Sequence, residues 1–425
     1  MAKEIIELAT VQERAILVGA PLKRTNARHA AEEHLRELER LADTAGARVV
    51  GQLTQLIDRP DSSTYIGKGK VEELKSMMTE HDATIVIFDD ELTPAQGKNL
   101  ELELGKRVID RAELILDIFA LRARSAEARM QVELAQLEYS LPRLRNMWTH
   151  LEKFRGGIGV RGPGETQLET DRRLVGLRVK VLKDRLKEVE TSRIEQRKNR
   201  KTAFRASLVG YTNAGKSSIL RAMAGGDVFI EDRLFATLDP LTREVKLDSP
   251  VLLTDTVGFI RKLPHDLVAS FRATLEEVRE ADLLLHVIDA SNSTWEEQRL
   301  VVDEVLAELG VHEKAVLHVF NKVDRLTPEL QAALRERMAN LLPNSVFVSA
   351  IGEPGIGELR AALVHASREG RPVVELRLSP SDGSTLAAIH RAGEVVSTAL
   401  DEESGLLVIR ARLDSKAASR FASFS

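Results

Sequence analysis

The sequence predicts a multidomain α/β protein: an N-terminal parallel α/β domain, a basic α-helical hairpin, a doubly wound α/β domain carrying a phosphate-binding P-loop, and a small C-terminal α+β domain. Three observations carry this. Between Ala15 and Asp110, short β-prone runs alternate with helical stretches. Strand signals then vanish up to about residue 203, where apolar residues recur at spacings of three and four. From Ala206 onward, four short polar motifs each follow an apolar, strand-like run. At 425 residues the chain exceeds one ordinary core, and 43% hydrophobic with 30% charged residues is the composition of a globular protein rather than a disordered one. It has no cysteine, which excludes disulfides and thiolate metal sites. Acids at Glu4 and Glu7 interrupt what a secretory leader would need, and no apolar run approaches a membrane span; the expectation is a cytoplasmic monomer without membrane contact.

In the first domain, expected over residues 1–120, the strands are Ala15–Val18, Val49–Val50, Ile85–Phe88 and Val108–Ile109. Helices lie around Ala30–Leu41, Val71–Thr79 and Ala95–Leu104. Residues 121–203 read as an antiparallel helical hairpin. Met130, Leu134, Leu137, Leu141, Leu144, Trp148 and Leu151 form one apolar face, and Pro142 should kink or divide that helix. On the second helix Leu168, Val175, Leu182 and Val189 fall seven apart, with Val179 and Leu186 between them, and Thr166 and Glu169 have the spacing of a capping box. The Gly-rich tip 155–164 holds Arg155 and Arg161. Net charge is -4, yet Leu141 to Lys201 holds 17 Lys/Arg against 8 Asp/Glu, so the mean hides a basic arm. A glycine-rich loop is ordinarily a flexible connection. This one is longer than the roughly 2–8 residues usual between packed helices and has arginines near its apex, which points to a contact role.

The third domain, expected over 204–370, carries the chemistry. Ala206-Ser207-Leu208-Val209 leads into Gly210-Tyr211-Thr212-Asn213-Ala214-Gly215-Lys216-Ser217, the G-x-x-x-x-G-K-[ST] spacing between a strand and a helix. Glycines let backbone N–H groups wrap phosphates, and the helix N-terminus adds donors and partial positive charge. Lys216 should reach the β- and γ-phosphates and Ser217 should ligate Mg²⁺. Val251-Leu252-Leu253-Thr254 ends in Asp255-Thr256-Val257-Gly258, where Asp255 would hold the water shell of Mg²⁺ and the Gly258 N–H would sense the γ-phosphate. After Val316-Leu317-His318-Val319-Phe320 comes Asn321-Lys322-Val323-Asp324. A carboxylate there accepts from the N1–H and exocyclic amine of guanine and meets only repulsion from adenine. Ser349-Ala350-Ile351 offers the Ala350 N–H to the guanine oxygen. The reading is therefore a GTP/GDP-binding hydrolase.

A Mg²⁺-binding threonine belongs between the P-loop helix and the next strand, with Thr237 and Thr242 as candidates. Phe235-Ala236-Thr237-Leu238-Asp239 favours Thr237. Phe259 stands where a water-orienting glutamine would follow D-x-x-G, so unaided chemistry should be slow. The Asn213 side chain either stabilises its loop locally or holds a monovalent cation, K⁺ being the candidate. Lys216, Thr237, Gly258 and Asn213 are the candidate catalytic groups. His286, His318 and Trp295 read as core or flanking residues.

The tip Gly-Gly-Ile-Gly-Val-Arg-Gly-Pro-Gly-Glu-Thr-Gln-Leu-Glu, followed by Gly-Tyr-Thr-Asn-Ala-Gly-Lys-Ser, Leu-Phe-Ala-Thr-Leu-Asp-Pro and Asp-Thr-Val-Gly-Phe-Ile, resembles the HflX family of bacterial ribosome-associated GTPases. Tyr65-Ile66-Gly67-Lys68-Gly69-Lys70 is similar to that family's N-terminal motif. The resemblance implies binding to the large ribosomal subunit and its rRNA, and splitting or rescue of stalled or idle ribosomes or a part in subunit biogenesis. Arg155, Arg161, Arg172, Arg173 and Arg178 are the candidate rRNA contacts. Two alternatives stand beside it. One is a GTP-regulated scaffold whose hairpin binds proteins, marked by an exposed apolar stripe. The other is RNA remodelling with a second, ATP-binding site at Tyr65–Lys70, where an ordinary helix cap is the simpler reading. The remainder, 371–425, reads as a βαβ unit with a helix from Ser384 to Leu400, after a last helix of the third domain at Ile356–Ser367.

Overall fold

Four short apolar runs of the N-terminal region become four parallel strands: β1 (Arg14–Gly19), β2 (Arg48–Thr54), β3 (Ile85–Phe88) and β4 (Arg107–Asp110), in the order β2-β1-β3-β4. The computed structural model describes the chain apart from residues 1–11, 24–26, 148–162, 199–202, 226–233, 264–271, 312, 370–372, 402–403, 414 and 425. The strands are connected by α1 (Ala27–Thr44), α2 (Lys68–Glu80) and α3 (Pro94–Leu104), and β4 runs directly into α4 (Arg111–Arg122). Their continuous apolar runs fit strands covered on both faces. Ile16, Val18, Val86 and Phe88 meet Val71, Leu74 and Met78 of α2 and Leu100 and Leu104 of α3 in one core. The ends are fixed locally. Thr93 and Gln96 form a capping box at α3, and Asp110 caps α4 by accepting the Glu113 N–H at 3.0 Å.

Two long helices follow, α5 (Ala126–Met147) and α6 (Pro163–Lys198). Arg178 pairs with Glu133 at 2.6 Å and Lys183 with Glu138 at 2.8 Å, joining them. Val175, Val179, Leu182, Leu186 and Val189 are the shielded positions of α6, at the alternating spacing that the sequence shows. Pro142 lies inside α5, which runs on to Met147, so of the two outcomes expected of it division is not seen. One expectation is corrected here. The second helix begins at Pro163, three residues before Thr166, so Thr166 and Glu169 are inside the helix and not its cap; proline favours the first turn because its fixed φ suits the helix and its missing N–H is not needed there.

By chain contacts the protein divides into two compact units. The first comprises Met1–Thr191 with Glu231–Asp239 and Ile260–Ala273; the second comprises Ser192–Ile230, Pro240–Phe259 and Thr274–Ser425. The second holds a six-stranded sheet in the order β10-β9-β8-β5-β7-β6, built from β5 (Phe204–Gly210), β6 (Leu241–Lys246), β7 (Pro250–Asp255), β8 (Leu283–Asp289), β9 (Val316–Asn321) and β10 (Ser345–Phe347). All pairs are parallel except β6 with β7 at one edge. The helices are α7 (Lys216–Ala224), α8 (Arg272–Arg279), α9 (Trp295–Glu308), α10 (Pro328–Leu341) and α11 (Gly357–Glu369). Ligands of such sheets sit beyond the carboxyl ends of the strands, where β5, β7 and β9 deliver the motifs.

The C-terminal region departs from the expected βαβ unit. Its helix α12 (Gly383–Ala392) stops eight residues early, and Gly393–Leu400 is a strand, β12. With β11 (Val373–Leu378) and β13 (Leu407–Leu413) it forms an antiparallel sheet, β11-β13-β12, followed by the short helix α13 (Ser415–Arg420). Gly393 ends the helix, and the β-branched Val395, Val396 and Thr398 favour a strand over further helix. The fold class is otherwise as expected.

Candidate functional site

The P-loop forms because β5 ends at Gly210 and α7 must begin at Lys216. Gly215 makes the turn with φ +97°, and a Cβ there would lie 2.2 Å from Asn321 Nδ2, so neither the conformation nor the space admits a side chain. Asn321 Nδ2 donates to the Ala214 carbonyl at 2.9 Å, while its Oδ1 accepts the Ala350 N–H at 3.2 Å. One buried amide thereby ties the P-loop to the Ser349-Ala350-Ile351 turn. Lys322 extends the tie, with Nζ donating at 2.8 Å to the Asn213 carbonyl and pairing at 2.8 Å with Asp289. Asp289 was not singled out from sequence, although its place at the end of the apolar run Leu283–Asp289 resembles that of the other motif residues.

The D-x-x-G segment is bonded to the same loop. The Thr212 N–H donates to the Phe259 carbonyl at 2.7 Å and the Phe259 N–H to the Gly210 carbonyl at 3.1 Å. A Cβ on Gly258 would lie 2.7 Å from Thr212 Cα and 2.9 Å from Lys216 Nζ, which explains the glycine. Thr256 is buried and donates to the Leu208 carbonyl at 2.6 Å; Val257 is buried beside it. Phe259 is 1% exposed, so its ring is core and not a group facing solvent.

Lys216 is buried, and its Nζ donates to the carbonyls of Gly210 at 3.0 Å and Tyr211 at 2.9 Å. Burial holds its pKa down at about 8 despite the opposing pull of Asp255. Ser217 Oγ donates to Asp255 Oδ2 at 2.6 Å, bringing together two hard oxygen donors of the kind Mg²⁺ takes. Asp324 is exposed, with Gly352 and the Ser349 side of the turn beside it: a Cβ on Gly352 would lie 3.3 Å from Ser349 Oγ and 3.5 Å from Asp324 Cβ. Val323 is buried and Ile351 is exposed.

Phe235–Asp239 belongs to the first unit and is anchored within it. The Phe235 ring meets Phe119 of α4 edge-on at 4.7 Å, Leu238 is buried, and Asp239 accepts the N–H groups of Arg124 at 3.1 Å and Ser125 at 3.2 Å. Ala236 and Thr237 are half-buried there. Thr242, the other threonine considered, lies on β6 and shares a 2.9 Å hydrogen bond with Thr254. The segment after D-x-x-G is anchored in the same unit by residues that sequence reasoning did not find. Arg261 reaches Asp89 at 2.9 Å and Glu37 at 3.1 Å, and Lys262 reaches Asp89 at 2.8 Å and Asp90 at 2.5 Å. Arg111, 1% exposed, also holds Asp89 at 2.8 Å and pairs with Glu37. Burial alone would raise the Asp89 carboxyl, but Arg261, Arg111 and Lys262 push it well below the usual carboxylate range.

Of the arm residues, Arg155 and Arg161 lie outside the described residues, while Arg172 and Arg173 are exposed on α6. Arg178 is bound to Glu133 by Nε at 2.6 Å and by a terminal nitrogen at 2.8 Å, so it serves the helix pair. At Tyr65–Lys70 the Gly67 N–H donates to Gln55 at 3.0 Å and Lys70 pairs with Glu73 at 2.7 Å within α2; Gly67 stands at the N-cap position, with no side-chain cap. His286 is buried, and burial lowers its pKa to about 3; Trp295 packs edge-on against Phe320. Among the described residues no cluster of His, Asp and Glu could hold a metal, and no helix is long and apolar enough to cross a membrane.

A phosphate loop braced by D-x-x-G and tied through Asn321 to the Ser349-Ala350-Ile351 turn, on a six-stranded doubly wound sheet, defines the class: a P-loop GTPase. Family models match residues 32–120 as GTP-binding GTPase N-terminal, 122–200 as GTP-binding GTPase Middle Region, and 205–322 as 50S ribosome-binding GTPase. GTPase HflX of Caldanaerobacter subterraneus is 46% identical over 401 residues, covering 93% of this chain and 90% of the relative. GTPase HflX of Escherichia coli is 43% identical over 385 residues, 90% of each. A solved GTP-binding protein from Sulfolobus solfataricus in complex with GDP, 25% identical, covers 84% of this chain and 99% of its own with a TM-score of 0.44. The chain belongs to the HflX family of GTPases, and its reaction is hydrolysis of GTP.

Proposed function

We propose that this GTPase binds the large ribosomal subunit through the α5–α6 arm and uses GTP-dependent switching to split or rescue ribosomes. The observation that carries the reading is the arm's surface. With Arg178 and Lys183 spent on Glu133 and Glu138, Arg172, Arg173, Lys180, Arg185 and Lys187 still stand exposed along α6, spaced to meet RNA phosphates. The relatives named HflX and the ribosome-binding description of the matched GTPase family support it.

At the nucleotide, Ser217, Thr237 and Asp255 through water are the proposed holders of Mg²⁺, which when bound offsets phosphate charge. Lys216 supplies a fixed ammonium, the Gly258 N–H reports the γ-phosphate, and Asp324 with the Ala350 N–H reads guanine. Thr237 and Arg261–Lys262 are anchored beside α4 and β3 of the first unit, so a γ-phosphate that rearranges these loops would act on that unit and the arm it carries. With Phe259 buried, no side chain of that position orients water, and K⁺ held near Asn213 is the proposed aid. Hydrolysis should then be faster in K⁺ than in Na⁺, and Asn213→Ala should erase the difference in a salt-exchange assay.

A second reading has its own observation. Leu174, Leu177 and Val181 are exposed at spacings of three and four, a short apolar stripe on α6 suited to a protein partner. Charge reversal at Arg172, Arg173 and Lys180 should weaken large-subunit binding and flatten its salt dependence, while deletion of 156–164 should cost splitting more than affinity. Wild-type behaviour in both variants, with binding lost on Leu174→Ser and Leu177→Ser, would favour the protein-contact reading.

A further inference from the structure

The C-terminal sheet had no function legible in the sequence, yet it helps to build a polar cleft within the second unit. The cleft has a volume of about 750 Å³ and is walled by the β6–β7 turn, the end of α11, the α12–β12 junction, β13 and α13. Four arginines from four elements face it: Arg368, Arg391, Arg412 and Arg420. Among the described residues only two carboxylates do, Asp248 and Glu394, leaving guanidinium charge in excess. Asp248 pairs with Arg368, and Glu394 lies 3.5 Å from Arg412. Each acid thus steadies one guanidinium; Arg391 donates its Nε to the Ala387 carbonyl at 3.2 Å and Arg420 lies over the Phe421 ring, and among the described residues neither is paired with a carboxylate.

Two details indicate a built site. Gly393 packs backbone to backbone on β13, so closely that a Cβ would fall 2.2 Å from the Arg412 carbonyl oxygen. That contact sets Arg391 and Glu394 against Arg412 by main chain instead of by mobile side chains. Arg412 Nε is buried and has no hydrogen-bond partner among the described residues, a donor left over after its ion pair. A cleft with this lining disfavours apolar ligands and metal cations. Planar guanidinium forks can each donate to two oxygens of a tetrahedral phosphate, and several converging forks can hold linked phosphates.

We propose that this cleft is a phosphate-binding site, large enough for a run of linked phosphates, supplied either by an RNA backbone crossing it or by a free polyphosphate. The proposal stands without the ribosome reading, since it concerns neither the arm nor the GTP site. The test uses the full chain saturated with GDP, so that the P-loop does not report. Binding of a fluorescent twelve-residue oligouridine is followed by anisotropy across a salt series, and tripolyphosphate binding by calorimetry, for wild type, Arg391→Gln, Arg420→Gln and the double variant. Both side chains are exposed at helix ends, and unchanged GDP affinity confirms that the fold survives. The RNA source is supported if the variants weaken oligouridine binding and lower the salt slope by about one per arginine removed. The free source is supported if tripolyphosphate binding falls by the same substitutions while oligouridine binding does not. No change in either would overturn the proposal. So would equal, equally variant-sensitive binding of oligoglutamate, which would mean a site for carboxylates.

Discussion

Asp324 is exposed, and in the proposed role its single carboxylate reads guanine from a segment held by the buried Asn321, Val323 and Ser349. Replacing it with Asn keeps size and removes the paired acceptor, so GTP affinity should fall by roughly 100-fold and xanthine nucleotide should gain, measured by competition binding. Unchanged GTP affinity would dismiss the guanine-reading role. Lys216 gives a second expectation, in pH. Burial lowers its pKa to about 8, and phosphates placed against it would raise that value in the complex. Affinity is then complete below about 8 and declines as pH rises through and beyond it, up to the higher pKa of the bound state. Calorimetry in buffers of different ionisation heat should show proton uptake near pH 8.5 and little near pH 6.5. Residues like these were legible in sequence because each motif is contiguous and its chemistry needs those residue types. The partnership of Arg261 with Asp89 was not, since 172 positions separate them and neither belongs to a motif.

Elements were legible where periodicity was long or a strand was wholly apolar, as in β1, β3 and the shielded face of α6. They were misread where a local signal competed. The stretch from Ser384 to Leu400 begins helical, and Gly393 followed by valines converts it to a strand whose partner, β13, can be known only from the fold. The N-terminus of α6 was placed three residues late, because Pro163 opens the helix ahead of the Thr166 that has capping-box spacing. Between elements, the buried cluster of Asp89, Glu37, Arg111 and Arg261 holds the chain after D-x-x-G against β3 and α4. Asp89→Ala would leave Arg111 buried with one of its two carboxylate partners removed, a loss of about 3–5 kcal/mol. Urea denaturation should show the first unit unfolding at markedly lower denaturant. A change below about 0.5 kcal/mol, the level of surface substitutions, would mean that the cluster contributes little to holding this segment.

At the scale of the whole molecule, two compact units share the machinery. The phosphate and base motifs lie in one, while Phe235–Asp239 and Arg261–Lys262 are packed into the other with the N-terminal sheet and the arm. Domain order was readable from alternating patterns, but not this division, because it depends on loops that carry no periodicity and leave one unit to join the other. On the proposed reading, a γ-phosphate met by the Gly258 N–H would be felt by the arm. The most direct test sediments the purified protein with separated large and small ribosomal subunits, in GDP and in a non-hydrolysable GTP analogue. Co-sedimentation with the large subunit should be much stronger with the GTP analogue and lost on charge reversal at Arg172, Arg173 and Lys180. Binding equal in both nucleotides, or absent from the large subunit in either, would contradict the proposed reading.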